Sequence, residues 1–280
     1  MPFATSTDGI RLHYSTWGQK TPPLVMVHGL GADKWGWVLQ RVPFGAKFRC
    51  IALDNRGSGR SDKPAGDYDL EQMSTDIVSV LDHAGVASAH VMGASMGGVL
   101  AMIAALQHPE RVRSLTLVCT AARLQVWRRE LFEGWINTAE TSGMRTYVTQ
   151  NLSWMVGQQS WRRLWPLANV IGPLAVRAPV HGLVGQIRGM LDAADSSIAR
   201  LGEITVPTLV IVGSNDILTP PPDSELLAAA IPNARLEIIH GAAHGLMIEH
   251  ASTFNRIVLD FLRSVPEQPI SEPQQPRLGP

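Results

Sequence analysis

Cysteine is nearly absent from this chain: 280 residues contain two, Cys50 and Cys119. Two thiols cannot build a disulfide framework or a thiolate zinc site. Both sit inside apolar runs and read as buried thiols. A charge imbalance is missing as well, because 24 Lys and Arg face 24 Asp and Glu. Without a basic footprint, nucleic acid is not an expected partner. No stretch of about 18 apolar residues runs uninterrupted by charge, so no membrane span or membrane partner is expected. Met1–Trp17 also lacks the basic start and apolar stretch of a secretory leader, which points to a soluble, cytoplasmic protein. What the chain does have is 25 Gly and 19 Pro breaking it into short pieces, and 45% apolar residues to build a core. Its length suits one large domain, or one domain carrying an insertion.

Asp8-Gly9 between Phe3–Thr7 and Ile10–Ser15 predicts a two-residue hairpin. Six short apolar runs follow: Leu24–Val27, Cys50–Leu53, His90–Met92, Leu115–Cys119, Thr208–Val212 and Leu236–Ile239. They are bounded by Gly, Pro or Asp, as strands covered on both faces of a parallel sheet are. Helical patterns lie between them at Leu70–His83, Met96–Gln107, Ser224–Ala230 and Ser252–Leu262, the last with Ser252 as N-cap. Alternating strands and helices predict an α/β fold with a mostly parallel sheet. Residues 123–197 break the rhythm with helix-period stretches, no strand, and Trp127, Trp135, Trp154, Trp161 and Trp165. They read as an inserted helical cap between core segments 1–122 and 198–263. Residues 264–280, with five prolines and little apolar content, read as a disordered tail.

The chemistry concentrates at Gly93-Ala94-Ser95-Met96-Gly97, which follows a strand and opens a helix. That context is what a Gly-x-Ser-x-Gly nucleophile elbow needs. A serine hydroxyl needs a base. His244 lies in a Gly/Ala loop after the last strand, free to lean over the sheet edge. His240 ends the strand run, where packing would fix it, and His250 reads as a surface residue ahead of the last helix. The imidazole in turn needs a carboxylate. Asp216 closes Gly213-Ser-Asn-Asp216, which directly follows strand Thr208–Val212, whereas the loop Cys119–Arg123 offers no acid. Neither His-Glu-x-x-His nor Gly-x-x-x-x-Gly-Lys occurs, so neither metal nor cofactor is expected.

The order Ser95, Asp216, His244, together with the elbow and His28-Gly29-Leu30-Gly31 after an early strand, resembles the α/β-hydrolase fold family over about residues 3–263. The resemblance implies an eight-stranded, mostly parallel sheet flanked by helices. It also implies an oxyanion hole made by the backbone N–H groups of Leu30 and Met96. Asp54–Asp62 resembles a loop common in that family, and its Gly57-Ser58-Gly59 reads as structural. Haloalkane dehalogenases and epoxide hydrolases carry Asp at the elbow, and Ser95 argues against both.

The pattern is similar to small-molecule esterases and 3-oxoadipate enol-lactonases. It implies a Ser-His-Asp hydrolase cleaving a small-molecule ester or lactone. Two alternatives stand beside it: meta-cleavage C–C hydrolysis by the same residues, and a receptor-like binding protein with little turnover. Eight Arg against five acids in residues 123–197 would suit a carboxylate-bearing substrate, although surface arginines are the plainer explanation. Trp135, mid-helix beside Leu131 and Phe132, is the expected pocket wall. Acyl identity and oligomeric state are not legible.

Overall fold

Five of the six runs that the sequence marks as two-sided strands are buried along their whole length, and Leu236–Ile239 is buried only at Ile239. In the computed structural model, which describes residues 2–157, 162, 176–193 and 198–266, the strands are β1 (Phe3–Thr5), β2 (Arg11–Trp17), β3 (Pro23–Val27), β4 (Arg49–Leu53), β5 (Ala89–Ala94), β6 (Val112–Val118), β7 (Thr208–Gly213) and β8 (Ala234–Ile239). They form one sheet in the order β1-β2-β4-β3-β5-β6-β7-β8. β1 pairs antiparallel with β2, and β2 antiparallel with β4; the other pairs are parallel. Central β5, β6 and β7 are buried at every residue, while β8, at the sheet's end, is only partly covered. Two-sided burial is why these strands are apolar runs rather than alternating ones.

Eight helices accompany the sheet among the described residues: α1 (Arg41–Gly45), α2 (Leu70–His83), α3 (Met96–Gln107), α4 (Val126–Asn151), α5 (Val180–Asp192), α6 (Pro221–Ala230), α7 (Leu246–Glu249) and α8 (Ala251–Ser264). On one face, Met73, Ile77 and Leu81 of α2 and Leu100 and Ile103 of α3 pack against Val25, Val91, Leu115 and Val210. On the other, Phe44 of α1 and Phe254, Val258 and Phe261 of α8 pack against Leu24, Met26, Met92 and Ile211. α3 is buried nearly all round because it lies against both the sheet and α2. A third apolar cluster joins Phe132, Trp135 and Tyr147 of α4 to Leu183 and Ile187 of α5. α4 and α5 occupy the segment expected to be helical, and no strand occurs among its described residues. α4 breaks at Gly143, where φ is 78°. None of the helices among the described residues is long and apolar enough to cross a membrane.

Four local expectations are corrected. The first hairpin turns through Ser6–Gly9, with Gly9 N–H donating to Ser6 O at 2.9 Å and Gly9 at φ 86°. Asp8 has no positive φ, so the two-residue type I′ turn is replaced by a wider one that ends in a left-handed glycine. α8 starts at Ala251 with His250 at its N-cap, so Ser252 is already inside. α6 starts at Pro221, since proline's fixed φ and missing N–H suit the first turn. Residue 264 belongs to α8 rather than the tail, and residues 267–280, like Trp161 and Trp165, lie outside the described residues.

Candidate active site

β5 ends at Ala94 and α3 begins at Met96, so Ser95 alone makes the turn. Its φ of 53° and ψ of −120° are unfavourable for a residue with a Cβ. Neighbouring groups hold it there. Ser95 N–H donates to Val118 O at 2.9 Å, and Gly98 N–H and the Thr120 hydroxyl donate to Ser95 O at 2.9 and 2.7 Å. The surrounding glycines are required by space. A Cβ on Gly93 would lie 2.1 Å from Gly97 O, and one on Gly97 would lie 2.3 Å from Val27 O. Ser95 is half-buried and lines a cleft whose non-atom space, open mouth included, is about 580 Å³.

The loops after β5, β6, β7 and β8 continue side by side past the sheet. Cys119 N–H donates to Ile211 O at 2.9 Å and Asn215 N–H donates to Ala242 O at 2.8 Å. Gly213 permits this approach, because a Cβ there would stand 2.3 Å from Ala242 O. The stitching brings Asp216 to His244, whose Nδ1 lies 2.8 Å from Asp216 Oδ2 with both residues buried. Asp216 accepts three further hydrogen bonds. The N–H groups of Leu218 and Thr219 donate to Oδ1 at 2.9 Å each, and the Thr219 hydroxyl donates to Oδ2 at 2.8 Å. Burial pushes the Asp216 carboxyl up, but His244 and the Thr219 donors outweigh it, so its pKa lies below the ordinary carboxylate value. Thr219 also lines the cleft that Ser95 lines, which joins the pair to the serine's side of the molecule. Residues 22–251 match the family described as alpha/beta hydrolase fold.

The chain belongs to the α/β-hydrolase fold family. A protein of Azorhizobium caulinodans, named as a proposed carbamate hydrolase, is 33% identical over 266 residues, covering 93% of this chain and 98% of that protein. A 3-oxoadipate enol-lactonase of Acinetobacter baylyi is 28% identical over 267 residues, covering 90% and 93% of the two chains. Among solved structures, the enol-lactonase of Burkholderia xenovorans superposes with a TM-score of 0.87 at 30% identity, covering 94% of this chain and all of that one. By family and relatives this α/β-hydrolase is a hydrolytic enzyme.

Within this hydrolase the turn His28–Gly31 lies directly against the elbow. A Cβ on Gly29 would be 3.1 Å from Ser95 Cβ and 3.7 Å from its Oγ. Leu30 follows that contact, and Met96 opens α3, where a first-turn N–H has no partner within the helix. A residue that the sequence reading missed holds this turn. Gln186 of α5, fully buried, accepts from Gly31 N–H at 2.8 Å and donates to Arg56 O at 2.8 Å and Ser58 Oγ at 3.0 Å. Its signal was a polar residue among Leu183, Val184 and Ile187, but its partners are not legible from the helix. Gln186→Leu leaves Gly31 N–H and Arg56 C=O buried without partners, costing about 1–3 kcal/mol each. The expected result is a lower melting temperature and a kcat loss on whichever substrate the enzyme hydrolyses, read by thermal denaturation and steady-state kinetics.

The remaining histidines sort by position. His240 is exposed in the turn after β8 rather than fixed in packing. His28 is buried against Trp37, with ring centroids 4.9 Å apart, and burial pushes its pKa down to about 3, so it stays neutral. His13 forms a second buried pair, its Nδ1 2.8 Å from Asp54 Oδ2. That carboxylate also accepts from Lys34 Nζ at 2.9 Å and anchors the loop containing Gly57 and Gly59.

Cys119 Sγ, an Asp216 oxygen and a His244 nitrogen lie within 4.8 Å of one another, the one grouping with metal-ligand spacing among the described residues. Asp216 and His244 already bond each other there, and burial and the Asp216 carboxylate hold the Cys119 thiol protonated. Trp135, expected on the pocket wall, stands behind it. Its ring packs 5.0 Å from Phe132 and 5.9 Å from Tyr147, and among the described residues Phe132 is the aromatic that lines the cleft.

Proposed function

We propose that this protein is a serine hydrolase that cleaves a small-molecule carboxylic ester or lactone through an acyl-enzyme. The observation that carries the reading is the convergence at one sheet edge of a serine on a strained elbow and a buried, hydrogen-bonded His244–Asp216 pair. In this reading Ser95 attacks the carbonyl while His244 takes its proton, and Asp216 holds the imidazole in the tautomer that can accept it. The Leu30 and Met96 N–H groups meet the developing oxyanion, the latter aided by the positive end of α3. His244 then returns its proton to the leaving oxygen, and a water it activates releases the acid. Thr219 is a positioning residue that steadies the carboxylate, and α4 and α5 roof the cleft as a cap over the core.

The relatives named for carbamate and enol-lactone hydrolysis favour attack on a carboxyl-level carbonyl. That leaves C–C hydrolysis, which the same residues would serve, as the second reading. The test is a panel of small esters, lactones and dienoate ketones run against wild type and Ser95→Ala. Hydrolysis of an ester or lactone that vanishes in a folded Ser95→Ala protein is the expected result. Full activity in that variant overturns the assignment, and a higher kcat/KM on dienoates than on any ester moves it to C–C hydrolysis.

A further inference from the structure

The backbone on both sides of His244 is tied to one short stretch of chain. Residues 155–157 lie just past α4, within the proposed cap, and pass over the loop that follows β8. A Cβ on Gly157 would stand 3.7 Å from Ala243 Cβ and 3.9 Å from Gly241 O. Gly245 N–H donates to Met155 O at 2.6 Å, an approach so close that a Cβ on Gly245 would stand 2.9 Å from the same oxygen. Glu249, the last residue of α7, makes the second tie. Its Oε2 accepts from Ala243 N–H at 3.3 Å, and its Oε1 accepts from Gly157 N–H at 3.0 Å. This half-buried carboxylate bridges the residue before His244 to the strap formed by residues 155–157.

The start of the same loop is held from the opposite side. Gly241 N–H donates to Ser214 Oγ at 2.9 Å, and Ala242 O accepts from Asn215 N–H at 2.8 Å. Residues 241 and 242 are thus set by the loop after β7, and residues 243 and 245 by Glu249 and the strap. Asp216 anchors one end of the imidazole, at Nδ1. Where the other nitrogen points then depends on where the His244 backbone stands. We propose that Glu249 is a positioning residue for His244: its carboxylate couples the strap to the loop of the base and so aims the free imidazole nitrogen. The inference rests on the serine-hydrolase reading, in which that nitrogen takes the Ser95 proton. A carboxylate suits the task because it offers an acceptor oxygen to each N–H group, in charge-assisted bonds. Glutamine has one acceptor oxygen and turns an NH₂ toward the other N–H, so it keeps only half of the bridge. A displaced base slows proton transfer by far more than it weakens substrate binding.

The experiment assays wild type, Glu249→Gln, Glu249→Ala and Gly245→Ala on a small ester or lactone that the wild type cleaves. The temperature is one at which circular dichroism shows every variant folded. In Glu249→Gln kcat falls about tenfold while KM stays within about twofold, and in Glu249→Ala kcat falls further. The rate at which a fluorophosphonate labels Ser95 falls by the same factor as kcat, because labelling needs the same base. Gly245→Ala loosens the strap from its other end. Its φ of −81° suits alanine, and among the described residues the added methyl meets only Met155 within 4 Å. Because both changes free one strap, the loss in the Glu249→Gln, Gly245→Ala double variant is smaller than the product of the two single losses. Wild-type kcat in Glu249→Gln, a loss confined to KM, or single losses that multiply in full would overturn the proposal. Ser95→Ala, run alongside, separates it from the reading beneath. Full turnover in that variant sinks the serine-hydrolase reading and the proposal together. An inactive Ser95→Ala beside a Glu249→Gln that matches wild type sinks the positioning role alone.

Discussion

With Asp216 as the acid of the proposed triad, replacing it by Asn is expected to lower kcat by about 10⁴ while leaving the fold intact. The size of the effect follows from how completely the carboxylate is used. Oδ1 accepts from two backbone N–H groups, and Oδ2 accepts from the Thr219 hydroxyl and the His244 ring. An asparagine has only one acceptor oxygen to offer these donors. If that oxygen stays with the Leu218 and Thr219 N–H groups, the amide NH₂ faces His244 Nδ1 and drives the imidazole proton to Nε2. The nitrogen turned toward Ser95 would then be a donor and could not accept the serine's proton. If the amide flips, two buried N–H groups face an NH₂ instead. Steady-state kinetics on an ester that the wild type cleaves measures the loss, with circular dichroism confirming the fold. A loss below tenfold would remove Asp216 from the mechanism.

Gly93→Ala is expected to destabilise the protein by about 4 kcal/mol or more, at the extreme of single substitutions. The added methyl would meet Gly97 O at 2.1 Å and Gly98 N at 2.7 Å, and both are backbone atoms of the elbow helix. They cannot move without dragging the Gly97 backbone, where a Cβ would in turn have only 2.3 Å to Val27 O. The elbow is a three-body contact between β5, α3 and β3. Gly134→Ala is the control, since a Cβ at that exposed α4 position meets nothing within 4 Å. It is expected to raise stability by about 0.5–1 kcal/mol, the usual helix-interior difference between the two residues. Denaturant unfolding of both variants against wild type reads the contrast. A Gly93→Ala protein of wild-type stability would show that the elbow does not need that glycine.

These expectations rest on features of unequal legibility. Ser95, Asp216 and His244 stood out as candidates because each lies within a few residues after an apolar run, and a parallel sheet brings the ends of its strands to one edge. The sheet itself was legible for the same reason, since burial on both faces leaves unbroken apolar runs. The residues that fix the site were hidden by sequence distance. Gln186 meets Gly31 across 155 positions, and Arg128 meets Leu218 and Asp223 across 90 and 95. Thr219 was closer to hand. An acid followed three residues later by Thr, then Pro, matches a carboxylate that caps its own turn, and Asp216 does this. Trp135 shows the opposite limit. It and Phe132 are one helical turn apart, and only the rotation of α4 decides which faces the cleft. The first hairpin was misread because Asp-Gly fits both a two-residue turn and the end of a wider one, and Ser6 supplies the acceptor for the wider one.

Ser95 is proposed as the acylated nucleophile. Titrating the protein with a fluorophosphonate while following hydrolysis of a small ester or lactone that it cleaves tests this directly, with the modified residue located by peptide mass. The expected result is one label per chain on Ser95, activity falling in step with labelling, and neither label nor turnover in Ser95→Ala. Steady turnover that survives complete labelling of Ser95 would contradict it.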